Sequence, residues 1–416
     1  MTYSRQGSAK GLSLMAFRLV EIELSKPFVP LHLESGESGV GLIGRWQDRL
    51  VGFKMLKLSP GAVLDGPALT AICDEAFALA VLTAKTAPPS EESAALPSLT
   101  IAICTKDRAA RLSRLLASLT EVRAGSPFAN TEILVVDNAS VDDATAAAAK
   151  AFADVRYVFE PKAGLNFARN AALANAAGEL LAFLDDDVVV DRHWFDGLAK
   201  AVRSEPSAGG FSGLVLPFRL DTDAQIAFEN RGGFGRGFSR RLFHSRSLNH
   251  ALHPASAGVM GAGCNMAFDR RLLGALGGFD EALDTGRPLP GGGDLDIFYR
   301  VLRSGRPLVY EPTYAVYHEH RETLAQLRHQ YWTWGLGMMA FVTKAWRSDP
   351  QNRPQLRMLI RWWLLDQARM VIVAVAGGRF GDLRFHLAEL MGGVQGRAGE
   401  YDRSLRRVAA IRGARS

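Results

Sequence analysis

The 416-residue chain is 48% hydrophobic and 22% charged, with 41 Gly, 18 Pro and 3 Cys. This globular composition excludes wholesale disorder, a collagen-like repeat and a disulfide scaffold, and the length predicts two or three domains. The net charge is +6, yet residues 351–416 hold twelve Arg, no Lys and five acidic residues, leaving 37 basic and 38 acidic residues before them.

Cys73, Cys104 and Cys264 form neither a CxxC pair nor a framework, which predicts a reducing compartment and a cytoplasmic location. No unbroken run of eighteen apolar residues marks a spanning helix, and Met1-Thr-Tyr-Ser-Arg5 lacks the apolar core of a signal peptide.

Residues 1–90 read as a small β-rich accessory domain. Short β-type runs at Phe17–Glu23, Val40–Trp46 and Val51–Lys57 are separated by turn residues, and a helical pattern follows over Ala68–Leu82. The Pro/Ser/Ala/Glu stretch from Thr86 to Pro97 reads as a linker.

Residues 98–321 have a different grammar. Buried-strand runs at Leu99–Cys104, Glu132–Val136, Val155–Phe159 and Leu180–Leu184 alternate with helical patterns at Ala109–Leu119, Ala144–Phe152 and Ala168–Ala176. Such alternation predicts an α/β fold with a mixed, mainly parallel sheet covered on both faces. Ligands of these sheets sit beyond the carboxyl ends of the strands. Polar groups follow the strands there: Thr105-Lys-Asp-Arg108, Asp137-Asn138 and Asp185-Asp186-Asp187. Residues 322–416 read as a helical, Arg-rich extension.

Three adjacent carboxylates repel one another unless a cation or donor network compensates. Mg²⁺ and Mn²⁺ commonly join one or two carboxylates to substrate phosphates, and in extended backbone Asp185 and Asp187 share a face while Asp186 points away. A solvated acidic loop is the bland alternative. Arg169, on a loop entering a helix, suits a phosphate or a strand-end aspartate, or else braces the helix. The small-residue stretch Gly258–Met266 permits close backbone approach to a ligand but lacks a P-loop register. Asp294, in Gly291-Gly-Gly-Asp-Leu-Asp296, suits either a helix N-cap or a general base for an acceptor hydroxyl. The Gly/Arg-rich stretch Arg231–Arg241 reads as an acceptor-side lid or a flexible insertion.

From Leu99 to Arg321 the order of motifs resembles the inverting family 2 glycosyltransferases of the GT-A fold: IAICTKDR, ILVVDNAS, GLNFARNAAL, AFLDDDV, GAGCNMAF, GGFDE, GGGDLDIFYRVLRSG and YEPTYAVYHEHR. The resemblance implies transfer of a sugar from a nucleoside diphosphate, UDP being the expected nucleotide, to a glycan or lipid-linked acceptor. It places Thr105 and Asp107 at the nucleotide, Asp137 at the base, Arg169 near the diphosphate, and Asp185 and Asp186 at the ribose or sugar. Asp187 becomes the ligand of Mn²⁺ or Mg²⁺, with His318 either a second ligand or a structural histidine.

Asp294 matches the base. Gly293 departs from the family, which carries Glu there, and this keeps Asp296 open as a substitute. A sugar-phosphate nucleotidyltransferase and a non-catalytic nucleotide-sugar-binding scaffold are the competing readings. In the tail, Arg353, Arg357, Arg361 and Arg369 step at multiples of four beside Trp362-Trp363. This predicts either contact with the anionic inner face of a membrane or a helical appendage packed on the catalytic domain. No nucleic-acid motif accompanies the charge.

Overall fold

The protein is described here by a computed structural model covering residues 16–86, 95–245, 252–286, 289–378 and 380–413. Residues Met1–Arg5, and 87–94 of the expected linker, lie outside these bounds. The chain divides into two compact units, one of residues 1–87, 219–233 and 320–324, the other of the remainder.

In the smaller unit, Glu37–Trp46 pairs in parallel with Ala16–Glu23 and antiparallel with Arg49–Lys57. The hairpin turns through Gln47 and Asp48, both at positive φ (49° and 67°), as a tight two-residue turn requires. Their N–H groups donate to the Glu23 carboxylate at 3.0 and 2.9 Å. The helix Gly66–Thr86 places Leu69, Cys73 and Phe77 at four-residue steps, so one stripe packs on Val40 and Leu42. It is the one helix among the described residues long and apolar enough to cross a membrane. Asp74 and Glu75 in its middle interrupt the apolar run.

The larger unit is built on a nine-stranded sheet. Its strands are β1 Leu99–Thr105, β2 Thr131–Asn138, β3 Val155–Glu160, β4 Leu180–Asp185, β5 Val188–Val190, β6 Gly210–Pro217, β7 Arg241–Phe243, β8 Asn265–Asp269 and β9 Leu308–His318. The order is β5-β9-β6-β8-β4-β1-β2-β3, with β7 on β9. The β4-β1-β2-β3 half is parallel, whereas β8 runs antiparallel between β4 and β6.

The helices of this unit include α1 Ala109–Arg123, α2 Ala144–Lys150, α3 Leu165–Asn175, α4 Trp194–Ser204 and α5 Gly293–Arg303. In α1, Leu112, Leu115, Leu116 and Leu119 recur at helical spacing. That stripe packs with Ile101, Ile103, Ile133 and Val135 of the sheet. Each such leucine stabilises the fold by ~1.5–3 kcal/mol.

Four further helices follow: α6 Leu324–Ser348, α7 Arg353–Ala376, α8 Phe380–Gln395 and α9 Tyr401–Gly413. Leu336 and Ala340 of α6 and Tyr401 and Val408 of α9 share a core with Phe167, Ala282, Leu283 and Leu289. The helical extension is thereby packed on the sheet-bearing unit. Glycines let α6 and α8 approach backbone to backbone, since a Cβ on Gly335 would overlap the Glu389 carbonyl.

The stretch expected as a lid or loose insertion is anchored from Phe234 onward. Arg236 donates to the Gly258 carbonyl (3.0 Å) and Tyr310 Oη to the Gly237 carbonyl (2.7 Å). Arg241–Phe243 then pairs with β9.

Candidate active site

Register brings the polar strand ends together. Thr105 of β1 lies opposite Asp137 of β2, and Cys104 lies opposite Asp185 of β4. The three aspartates then part company. Asp185 faces the Arg169 guanidinium at 3.9 Å, while Asp187 faces His318 Nε2 at 3.3 Å. Asp186 is buried, accepting from Thr105 Oγ1 (2.7 Å) and Arg108 Nη1 (2.9 Å). Burial pushes the Asp186 carboxyl above its ordinary range and Arg108 pulls the other way. Arg108 Nη1 also lies 3.7 Å from Asp187, so one exposed cation offsets two buried anions.

On the neighbouring strand Asp137 is buried, taking a hydrogen bond from Tyr157 Oη (2.8 Å) and a very short one from Ser140 Oγ. Asp107 adopts φ 54° and its carboxylate accepts the Val141 N–H at 2.8 Å. Asn138 spans the gap to the next element, accepting from Gly164 N (2.8 Å) and donating to the Lys162 carbonyl (2.7 Å). Gly164, at φ 143°, lets α3 begin at Leu165, three residues before the expected Ala168. Arg169 therefore sits a full turn inside the helix.

Arg169 is buried and faces two carboxylates, Asp185 and Asp284 (3.5 Å). Its Nη1 donates to Asn166 Oδ1 at 3.1 Å, and Phe279 lies 5.3 Å beneath the guanidinium. Burial pushes the Asp284 carboxyl up to about 6, against the opposing pull of Arg169. Asp185 rises for the same leading reason, with Asp186 and Asp187 adding repulsion. The Cys104 and Cys264 thiols are buried and pushed well up, which keeps them un-ionised and unreactive.

The Gly-rich stretch expected as a loop instead runs into β8, and Gly263 stands just before that strand. A Cβ there would lie 3.2 Å from both Arg169 Nη2 and Asp294 Cβ. Gly263 thus lets a buried cation and a half-buried carboxylate both close in on one backbone position, where a side chain would crowd them. Asp294 is not the N-cap of α5. Gly292 caps the helix at φ 100°, and Asp294 lies in the first turn, accepting the Leu295 N–H at 2.9 Å.

Asp296 is not brought to this site. It is buried, with one oxygen 2.7 Å from Lys344 Nζ and the other 2.7 Å from Arg300 Nη2. The Lys344 bond ties α5 to α6. Motif reading missed Arg108, Asp284, Asn166 and Arg236. Arg108 closes the TKDR motif and was open to notice. Asp284 lies outside every motif and meets Gly293 only because the loop at Asp284 turns at φ 57°.

Among the described residues no three His, Cys, Asp or Glu side chains converge as a ready-made metal cage. Mg²⁺ and Mn²⁺ do not require one, since an octahedral ion with ligands about 2.1 Å away takes neighbouring donors ~3 Å apart and completes its shell with phosphate and water. Asp187 Oδ1 and His318 Nε2, 3.3 Å apart, fit two such positions.

Residues 100–251 match the family model Glycosyl transferase family 2. The pre-mycofactocin glycosyltransferase of Mycobacterium tuberculosis is 27% identical over 235 residues, 54% of this chain and 43% of that protein. The succinoglycan biosynthesis protein ExoM of Rhizobium meliloti is 30% identical over 177 residues, 42% of this chain and 52% of its own. The chain thus spans about half the length of these relatives, or less. Among solved structures, a mannosyltransferase from Pyrobaculum calidifontis in complex with GDP-Man and Mn²⁺ superposes with a TM-score of 0.52 at 19% identity, covering 75% of this chain and 91% of that one. Strand order, motif order and sequence agree: residues 100–251 of the sheet-bearing domain match glycosyl transferase family 2, and the fold is GT-A-like.

Proposed function

We propose that the protein transfers a sugar from a nucleoside-diphosphate sugar to an acceptor hydroxyl in a single displacement that inverts the anomeric centre. The observation that carries this reading is the approach of the Arg169 guanidinium and the Asp294 carboxylate to the same backbone position, Gly263. A cation suits the leaving diphosphate, and a carboxylate suits the proton of an incoming hydroxyl.

Asp294 accepts that proton as the acceptor oxygen attacks from the face opposite the nucleotide. Arg169, held by Asn166 and Phe279, is fixed in place before the diphosphate develops its charge. Asp137, fixed by Tyr157 and Ser140, presents a carboxylate to the base. Thr105 and Arg108 lock Asp186, which orients the turn carrying Asp185 and Asp187. Asp187 and His318 would hold a divalent cation, whose contribution when bound is to neutralise the diphosphate.

UDP-sugars are the first donors to test and GDP-mannose the second, the latter because the Pyrobaculum structure holds it. Donors that bind the native state raise its melting temperature. A shift that needs Mn²⁺ or Mg²⁺ together with one nucleotide sugar supports the reading. A chain that no nucleotide sugar stabilises, with or without the ion, contradicts it.

A further inference from the structure

The helical hairpin α7–α8 carries features that sugar transfer leaves unexplained. On α7, Trp362, Leu365 and Ile372 fall on one stripe, with Leu365 67% and Ile372 66% exposed. On α8, Leu387, Met391 and Val394 form a second stripe, with Met391 67% and Val394 64% exposed. The helices lie side by side, Trp363 Nε1 donating to Glu389 Oε1 at 3.2 Å. Two exposed apolar stripes on adjacent packed helices are more uncovered apolar surface than a soluble protein commonly carries without a partner.

Charge selects the partner. Arg361 lies one turn and Arg357 two turns before Leu365 on α7, along one edge of that stripe. With Arg397 and the apolar walls of Val342, Trp346 and Ile360 they line a recess of 260 Å³. The Arg357 guanidinium rests 5.7 Å from the Trp346 ring centre. Among the described residues, none of Arg357, Arg361, Arg369, Arg384 and Arg397 has a carboxylate within 4 Å, whereas Arg347 in the same recess is taken by Asp402. An apolar stripe flanked by uncompensated arginines is the surface of an interfacial helix, and guanidinium groups match phosphate geometry.

We propose that the α7–α8 face docks on an anionic phospholipid bilayer, with a lipid phosphate seated in the Arg357/Arg361/Arg397 recess and the two apolar stripes entering the headgroup boundary. A second copy of the chain fits less well. Its identical face would bring the same unpaired arginines together.

Flotation of the full chain with vesicles of phosphatidylcholine alone, or of phosphatidylcholine with phosphatidylglycerol, tests this. The protein should float with the anionic vesicles, fall off as salt rises, and stay behind with the neutral ones. Arg357→Gln and Arg361→Gln should each lower partition about fivefold. Leu365→Glu with Ile372→Glu should abolish it, while melting temperature and donor binding stay unchanged because both side chains are solvent-exposed. Equal binding to neutral and anionic vesicles, or no binding at all, overturns the proposal. So does a concentration-dependent dimer that Leu365→Glu disperses in a chain that ignores vesicles.

Discussion

Asp284 Oδ2 accepts the Gly293 backbone N–H at 2.9 Å, and a Cβ on Gly293 would overlap that same oxygen and lie 2.5 Å from Asn166 Nδ2. The position where the family resemblance expects a glutamate is therefore met by a carboxylate from nine residues upstream. Its charge lies 3.5 Å from Arg169, beside the helix that presents Asp294. The departure at Gly293 removes a side chain, and Asp284 restores an anion to the same space.

That anion is costly. Asp284 titrates near 6 in the folded protein, above the ordinary aspartate value. A raised carboxyl contributes stability fully below its unfolded pKa and loses it as pH rises through the folded one. Asp284→Asn should therefore stabilise the protein at pH 7.5, by up to ~3 kcal/mol for a two-unit shift, and by almost nothing near pH 4. Thermal melts of both proteins across that range check this, and a gain that does not grow with pH contradicts it. Donor binding should tighten in the same variant, because Arg169 loses one of the two carboxylates that offset its charge.

Asp296 should behave as a structural residue. Removing one partner of a buried ion pair strands the other and costs about 3–5 kcal/mol. Asp296→Asn is expected to lower the melting temperature sharply while turnover, measured well below it, stays near wild type. A variant with unchanged melting and lost turnover would place Asp296 in the chemistry instead.

The metal pair gives a third expectation. His318→Ala removes a ring-nitrogen ligand, while Asp187 keeps its contact with Arg108. The Mn²⁺ concentration that half-saturates donor binding should rise, whereas binding of the nucleotide without metal should not change. Calorimetric titration in the presence and absence of Mn²⁺ separates the two. Equal metal dependence in both proteins would make His318 a packing residue against Phe234, 5.0 Å away.

The parallel half of the sheet was legible because Leu99–Cys104, Glu132–Val136 and Leu180–Leu184 are unbroken apolar runs ended by polar residues. The antiparallel half was not. In Gly210–Pro217, Gly and Ser interrupt the apolar run. Asn265–Asp269 follows three glycines that read as loop, although Asn265 is fully buried as the partner of Trp194 and the Tyr314 carbonyl. Spacing could name Asp294 and Asp296 but could not separate them, because the separation comes from Lys344, some fifty residues away on another helix. For the same reason Asp284 had no signature: its role depends on a loop turn.

Asp294→Asn removes the carboxylate proposed to take the acceptor's proton, with little change of shape. With a donor and acceptor in hand, turnover should fall about 10²–10⁴-fold, while donor affinity and melting temperature remain those of the wild type. Turnover within a few-fold of wild type in that variant would contradict the account.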